Sequence, residues 1–95
     1  MFILRIEHPV PDYDNWKQAF DNDPLDREGS GVVAYRVLRA PGTPTIVSVD
    51  LEFERRDQAE AMQAKLLQLW GRVEQEGLIG QQRANIFEVV ETQAY

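Results

Sequence analysis

The chain has no cysteine and a single histidine, His8. Without cysteine there is no disulfide, no thiol nucleophile and no zinc–thiolate centre. Long apolar stretches are missing too, because the longest runs, 1–4 and 32–35, have only four residues. The sequence therefore predicts no transmembrane helix and no secretory signal, so that we expect a cytoplasmic protein without membrane contact.

Positive charge is scarce. Ten lysines and arginines stand against 16 carboxylates, for a net charge of −6. A nucleic-acid partner needs a basic surface, so none is expected. No phosphate-binding glycine loop, serine nucleophile elbow or HExxH motif occurs, and the six carboxylates between positions 12 and 28 match no calcium loop. We therefore expect neither a metal nor a cofactor, and an acidic stretch that is simply solvated.

Hydrophobic residues make up 43% of the 95 residues, which is enough for the core of one domain. We therefore expect a single domain over residues 1–95. Alternation of apolar and polar residues predicts four strands. Their expected ranges are Phe2–His8, Val32–Arg39, Thr45–Phe53 and about Ala84 to Thr92. A turn is expected at Pro41-Gly42-Thr43-Pro44.

Two helices are expected between these strands. Asp12 is a suitable N-cap for the first helix, which Pro24 would stop. Asp57 and Glu60 have the spacing of a capping box for the second helix, which would end near Gly77. The resulting order, β-α-β-β-α-β, predicts an α+β fold of the ferredoxin-like type, in which two helices cover one face of a four-stranded antiparallel sheet.

The sheet face without helices has a mixed composition. Five of its eleven expected residues are aliphatic and five are charged, with Arg36 opposite Asp50: Ile3, Arg5, Glu7, Val32, Ala34, Arg36, Leu38, Ile46, Ser48, Asp50 and Glu52. A solvated face should be more polar, and a monomer core should hold fewer charges. This composition favours a two-fold interface between two sheets, and hence a homodimer.

Three segments resemble the small proteins of the dimeric α/β-barrel superfamily, which contains the antibiotic-biosynthesis monooxygenase-like proteins. The segments are Val10–Asp21 (VPDYDNWKQAFD), Gly31–Arg39 (GVVAYRVLR) and Val47–Phe53 (VSVDLEF). The resemblance implies a barrel closed by two sheets, with a ligand pocket between the sheet and the helices of each subunit. The superfamily includes cofactor-free oxygenases, haem-degrading enzymes, isomerases and members without known activity. Haem is not expected here, because the chain offers no second histidine.

Six residues are candidates for such a pocket. His8, at the end of the helix-facing row of the first strand, is the candidate catalytic base. Tyr35 is a second catalytic candidate, because its phenol should point toward the helices and needs a partner. The candidate ligand-binding residues are aromatic: Tyr13, Trp16, Phe20 and Trp70. Each has a simpler interpretation, as core packing or as a strand-end histidine bonded to backbone or water.

The sequence does not decide between an enzyme, a binding or scaffold module and an accessory protein. One hypothesis is a cofactor-free monooxygenase or cyclase that acts on an aromatic or polyketide-like compound, with His8 as base and with Tyr35 and Trp16 positioning the ligand. The alternatives are a non-catalytic dimeric module that binds a metabolite or acts as a scaffold, and a stress or signalling accessory whose dimer is its function. An open cavity between Trp16, Tyr35 and His8 would favour the first hypothesis, and a filled core the others.

Overall fold

The computed structural model describes residues 1–75 and 82–95. Their elements follow the expected order: β1 (Phe2–Pro9), α1 (Tyr13–Asp21), β2 (Val32–Ala40), β3 (Thr43–Phe53), α2 (Arg56–Gln75) and β4 (Arg83–Glu88). The four strands form one antiparallel sheet in the order β2-β3-β1-β4. The ferredoxin-like α+β fold predicted from the sequence is confirmed.

Several element boundaries differ from the prediction. β4 ends at Glu88 rather than near Thr92, because Glu88 already pairs with the first residue of β1, Phe2. β3 begins at Thr43, so the turn is confined to positions 41–42. The expected end of α2 at Gly77 lies outside the described residues.

The capping box proposed for α2 is wrong. The helix begins at Arg56, which places Asp57 inside its first turn rather than at its cap. The Asp57 carboxylate instead accepts two hydrogen bonds from the Arg55 guanidinium, at 3.0 and 2.7 Å. Glu60 pairs with Arg56, at 2.8 Å. The two arginines that precede the expected cap residue, Arg55 and Arg56, thus offer these carboxylates charged partners.

A register shift in β2 corrects two face assignments. Val32 pairs with Phe53 and Ala34 with Glu52, so Val33 is an extra residue between them. Such a bulge reverses the alternation of side chains on one side of it. Val32, expected on the helix-free face, therefore packs against the core, whereas Val33, expected under the helices, is half exposed.

The core lies between the sheet and α2. Its buried side chains come mainly from the helix-facing rows of β1 and β3, with three from α2: Leu4, Ile6, Val10, Val47, Val49, Leu51, Phe53, Ala59, Met62 and Leu66. In α1, by contrast, no residue is fully buried. The aromatic side chains of α1 border the core without filling it, which leaves space beneath that helix. Neither helix of the described residues is long and apolar enough to cross a membrane.

The opposite sheet face is organised around one carboxylate, Asp50, which is only 1% exposed. Arg36 donates to it at 2.9 Å, as expected from the sequence, and Arg5 donates two further bonds at 2.8 and 3.0 Å. The hydrogen bonds from Arg5 lower the pKa of Asp50 most strongly, while burial opposes this shift. Asp50 therefore stays ionised at neutral pH, where it ties together β1, β2 and β3.

Candidate functional site

A cavity of about 360 Å³ lies between the helix-covered face of the sheet, α1, α2 and the loop that follows α1. We call it the His8 cavity. Its lining is Ile6, His8, Trp16, Ala19, Phe20, Asp23, Pro24, Leu25, Arg27, Val49, Met62, Leu66, Leu69 and Trp70. The volume falls in the range of small-molecule sites, roughly 300–1,000 Å³, and an apolar space of roughly 150 Å³ already accepts benzene.

Aromatic rings form one side of the His8 cavity. The His8 imidazole meets the Trp16 indole edge-on at a centroid distance of 5.8 Å, and Trp70 lies 6.4 Å away from it. Trp16 in turn stacks on Phe20 at 5.1 Å, with 26° between the planes. A planar ligand in this space would find two indole faces and one imidazole within reach.

Local sequence explains why these rings converge. The Asp12 carboxylate accepts hydrogen bonds from the backbone N–H groups of Asp14 and Asn15, which fixes the start of α1. Trp16 and Phe20 are four residues apart and therefore share one face of the helix. His8 is the penultimate residue of β1, and residues 10–12 alone connect that strand to α1. The imidazole and the first helical turn are thus held together.

Burial lowers the pKa of His8 below its ordinary value, and the backbone of Pro9 offsets part of this shift. In the part of the chain that the structure describes, no carboxylate is hydrogen-bonded to the ring. The imidazole is therefore neutral at pH 7, and a neutral imidazole is the form that can accept a proton.

The structure divides the six candidate residues into two groups. His8, Trp16, Phe20 and Trp70 line the cavity, whereas Tyr13 and Tyr35 do not. Tyr35 lies on the edge strand β2, is 46% exposed and meets the edge of Phe20 at 5.2 Å. Tyr13 packs beside Trp16 at 5.9 Å. The tyrosines therefore support the cavity wall from outside.

Two charged residues of the lining were not predicted from the sequence. Asp23 and Arg27 come from the loop between α1 and β2, where no periodicity indicates the direction of a side chain. The only available signal was that Arg27 is one of two cations, with Lys17, among the six carboxylates of positions 12–28. Among the described residues, no three histidine or carboxylate side chains are grouped as metal ligands.

Solved structures of similar fold cover nearly the whole chain. A Deinococcus radiodurans protein, provisionally named an antibiotic biosynthesis monooxygenase, superposes with a TM-score of 0.68 at 10% identity over 100% of this chain and 98% of its own. A dimeric ferredoxin-like protein from an uncultured marine organism gives 0.62 at 11% identity, with both chains fully covered. A second marine protein of that description gives 0.60 at 16% identity, covering 96% of this chain and 97% of its own.

These likenesses confirm the fold expected from the sequence resemblance, and the identities are too low to show more than the fold. The first of these structures is described as a monooxygenase of the kind that the sequence resemblance named. No protein-family model matches the chain, and no curated protein matches it in sequence.

Proposed function

We propose that the protein binds a flat, mostly apolar small molecule in the His8 cavity. We propose further that it is a cofactor-free oxygenase or cyclase and that this molecule is its substrate. The observation that carries this proposal is an apolar cavity of about 360 Å³ in which two indoles surround one half-buried, neutral histidine. A core that served only stability would be closely packed, because side chains around an unfilled space of this size lose van der Waals contacts and the fold is less stable.

His8 would act as the base. A polyphenol or anthrone-like compound has an acidic C–H or O–H group, and the imidazole takes that proton to leave a carbanion or phenolate on the ligand. In an oxygenase, the carbanion reacts with molecular oxygen: a CH₂ group and O₂ give a C=O group and water. In a cyclase, the carbanion attacks a carbonyl carbon of the same molecule and water is lost. The apolar wall supports either reaction by excluding solvent.

The competing function is non-catalytic binding of a metabolite. It would use the same indole faces but would not need the histidine as a base. The presence of an ionisable group beside the two indoles, rather than another apolar residue, favours catalysis. A comparison of binding with turnover in His8 variants separates the two.

A titration with planar and non-planar ligands tests the proposed binding. In a Trp70→Phe background, 2-naphthol should change the fluorescence of Trp16 saturably, because offset stacking on an indole contributes about 0.5–1.5 kcal/mol beyond burial. Decahydro-2-naphthol has the same carbon skeleton without a flat π-face and is the matched control. We expect it to bind several-fold more weakly. If no aromatic compound changes the tryptophan fluorescence of either the Trp70→Phe variant or the unsubstituted protein, the cavity is not a ligand site.

We further propose that two chains associate through the helix-free sheet face, so that the fold forms a dimeric barrel. By register, this face carries three arginines and three carboxylates, and it is neutral on a chain of net charge −6: Arg5, Arg36, Arg83, Glu7, Asp50 and Glu52. Leu38, Ile46 and Phe87 are half exposed on the same face. Two of the structural neighbours are described as dimeric, which supports this assembly.

Sedimentation tests the dimer. Analytical ultracentrifugation at micromolar concentration should give about twice the chain mass of 10.9 kDa. Leu38→Glu should shift the protein to the monomer mass, because it places an unpaired charge within the proposed interface. Leu67→Glu is the control: Leu67 is 55% exposed on α2, comparable with 43% for Leu38, and should leave the dimer intact. A monomer without substitution would contradict this assembly.

A further inference from the structure

We infer that the ligand of the His8 cavity is an anion, and that Arg27 binds its carboxylate or phenolate oxygen. This inference rests on the proposed function and specifies the class of compound that the cavity takes. Apart from the neutral imidazole, Asp23 and Arg27 contribute the ionisable groups of the lining, and Arg27 is the cation of the two. On a protein of net charge −6, an anionic ligand needs such a fixed positive group.

The Arg27 guanidinium is held in place by its own neighbours. Its Cζ lies 3.9 Å from the centroid of Phe20 and 5.0 Å from that of Tyr35, which are cation–π distances. Its Nη1 donates to the Phe20 carbonyl oxygen at 2.7 Å. Only 17% of the side chain is exposed. The group is therefore preorganised in the cavity wall, so that a ligand need not first immobilise it.

The charge of Arg27 is only partly compensated. Its Nε lies 3.5 Å from the Asp23 carboxylate, longer than a charge-assisted hydrogen bond of about 2.7–2.9 Å. The same Asp23 oxygen accepts the backbone N–H of Arg27 at 2.9 Å. Within residues 1–75 and 82–95, Nη2 donates to no protein acceptor. A guanidinium with unused donors beside an apolar cavity can bind a carboxylate or phenolate in the same plane.

The loop that carries Arg27 is built to keep one shape. Asp23 and Asp26 have φ values of 52° and 51°, in the left-handed region that is unfavourable for a non-glycine residue. Each side chain compensates by accepting a backbone N–H within the loop, from Arg27 and Gly29 respectively. A Cβ on Gly29 would collide with the Asp26 carboxylate, so a side chain there would displace the group that accepts the Gly29 N–H.

The position of Arg27 also fits the proposed chemistry. Four side chains follow one another along one wall in the order His8, Trp16, Phe20 and Arg27. The ring centroids of His8 and Trp16 are 5.8 Å apart and those of Trp16 and Phe20 are 5.1 Å apart, and the Arg27 Cζ lies 3.9 Å from the Phe20 centroid. A planar molecule lying on this wall can present an acidic group to the imidazole at one end and an anionic oxygen to the guanidinium at the other. Arg27 would then be a binding and specificity residue, with proton transfer left to His8.

An acid–amide pair of ligands tests this assignment. 2-Naphthoate and 2-naphthamide have the same shape and differ in charge. In the Trp70→Phe background, we expect naphthoate to bind about tenfold more tightly than naphthamide, as one charge-assisted hydrogen bond would give. Arg27→Gln should weaken naphthoate binding about tenfold and naphthamide binding less than about threefold. Arg39→Gln, which removes the same charge from the ring of Tyr13 outside the cavity, should change neither.

Each other outcome has a separate meaning. Two outcomes would overturn the role of Arg27. The first is equal affinity for naphthoate and naphthamide in the protein that retains Arg27, and the second is equal weakening of both ligands by Arg27→Gln. Either would leave the cavity as a site for neutral aromatic compounds. Binding of neither ligand would overturn the proposed function itself. If Arg27→Gln does not fold, as judged by circular dichroism, Arg27→Lys takes its place. The ratio of naphthoate to naphthamide affinity is then compared between Arg27→Lys and the protein that retains Arg27, and this comparison tests the role of Arg27.

Discussion

Leu51→Ala is expected to lower the free energy of unfolding by about 2–5 kcal/mol, because it removes a buried side chain and leaves a cavity under α2. Leu51 lies near the C-terminal end of β3 and is only 3% exposed. It pairs with Leu4 of β1 on one side and Tyr35 of β2 on the other. Urea denaturation followed by circular dichroism measures the change.

Leu67→Ala is the matched control, because it removes the same atoms from a leucine that is 55% exposed on α2. It should lower the free energy of unfolding by less than about 0.5 kcal/mol. Glu54→Ala, at an exposed position just after β3, should be similarly mild. Equal losses at positions 51 and 67 would mean that the helix-facing row of β3 has been assigned to the wrong side of the sheet.

His8→Gln is expected to reduce turnover of a carbanion-forming substrate by about 10²–10⁴-fold, the usual contribution of a positioned base. Anthrone is a suitable probe, because its oxidation to anthraquinone consumes one O₂ and releases one water. Oxygen consumption measures the rate. Binding of 2-naphthol should change less than about threefold, since glutamine keeps most of the volume of the side chain. Trp70→Phe, which retains the histidine, should keep turnover within about tenfold.

The pH dependence of kcat/KM gives an independent measure of the same group. Protonation removes the base, so the rate should fall as the pH falls. Burial lowers the pKa of His8, so the midpoint of that fall should lie below the ordinary imidazole value of about 6.5. A midpoint above 6.5, or an unchanged profile in His8→Gln, would assign the proton transfer to a different group.

The fold could be predicted from the sequence because its signals are local and agree with one another. The alternation in β3 (Val47, Val49, Leu51 and Phe53) identifies the buried face, and the opposite row correctly paired Arg36 with Asp50. The two wrong face assignments arose where one extra residue reverses the alternation of side chains along a strand. The bulge at Val33 depends on how β2 meets β3, which no single segment encodes.

The site was predictable only where it lies on regular elements. His8, Trp16, Phe20 and Trp70 are on a strand or a helix, whose period gives the direction of each side chain. Arg27 is on a loop, and its position follows from two left-handed aspartates and from aromatic rings on α1 and β2. Tyr35 was expected in the pocket, but Phe20 and Arg27 lie against its ring and the cavity lining excludes it.

A crystal structure of the protein soaked with 2-naphthoate would decide whether the His8 cavity is a ligand site. We expect density for the naphthalene rings between Trp16 and Trp70, beside His8, with the carboxylate directed toward Arg27. Naphthoate bound only elsewhere, with Trp16 and Trp70 closed against each other and the cavity filled by protein, would contradict this expectation.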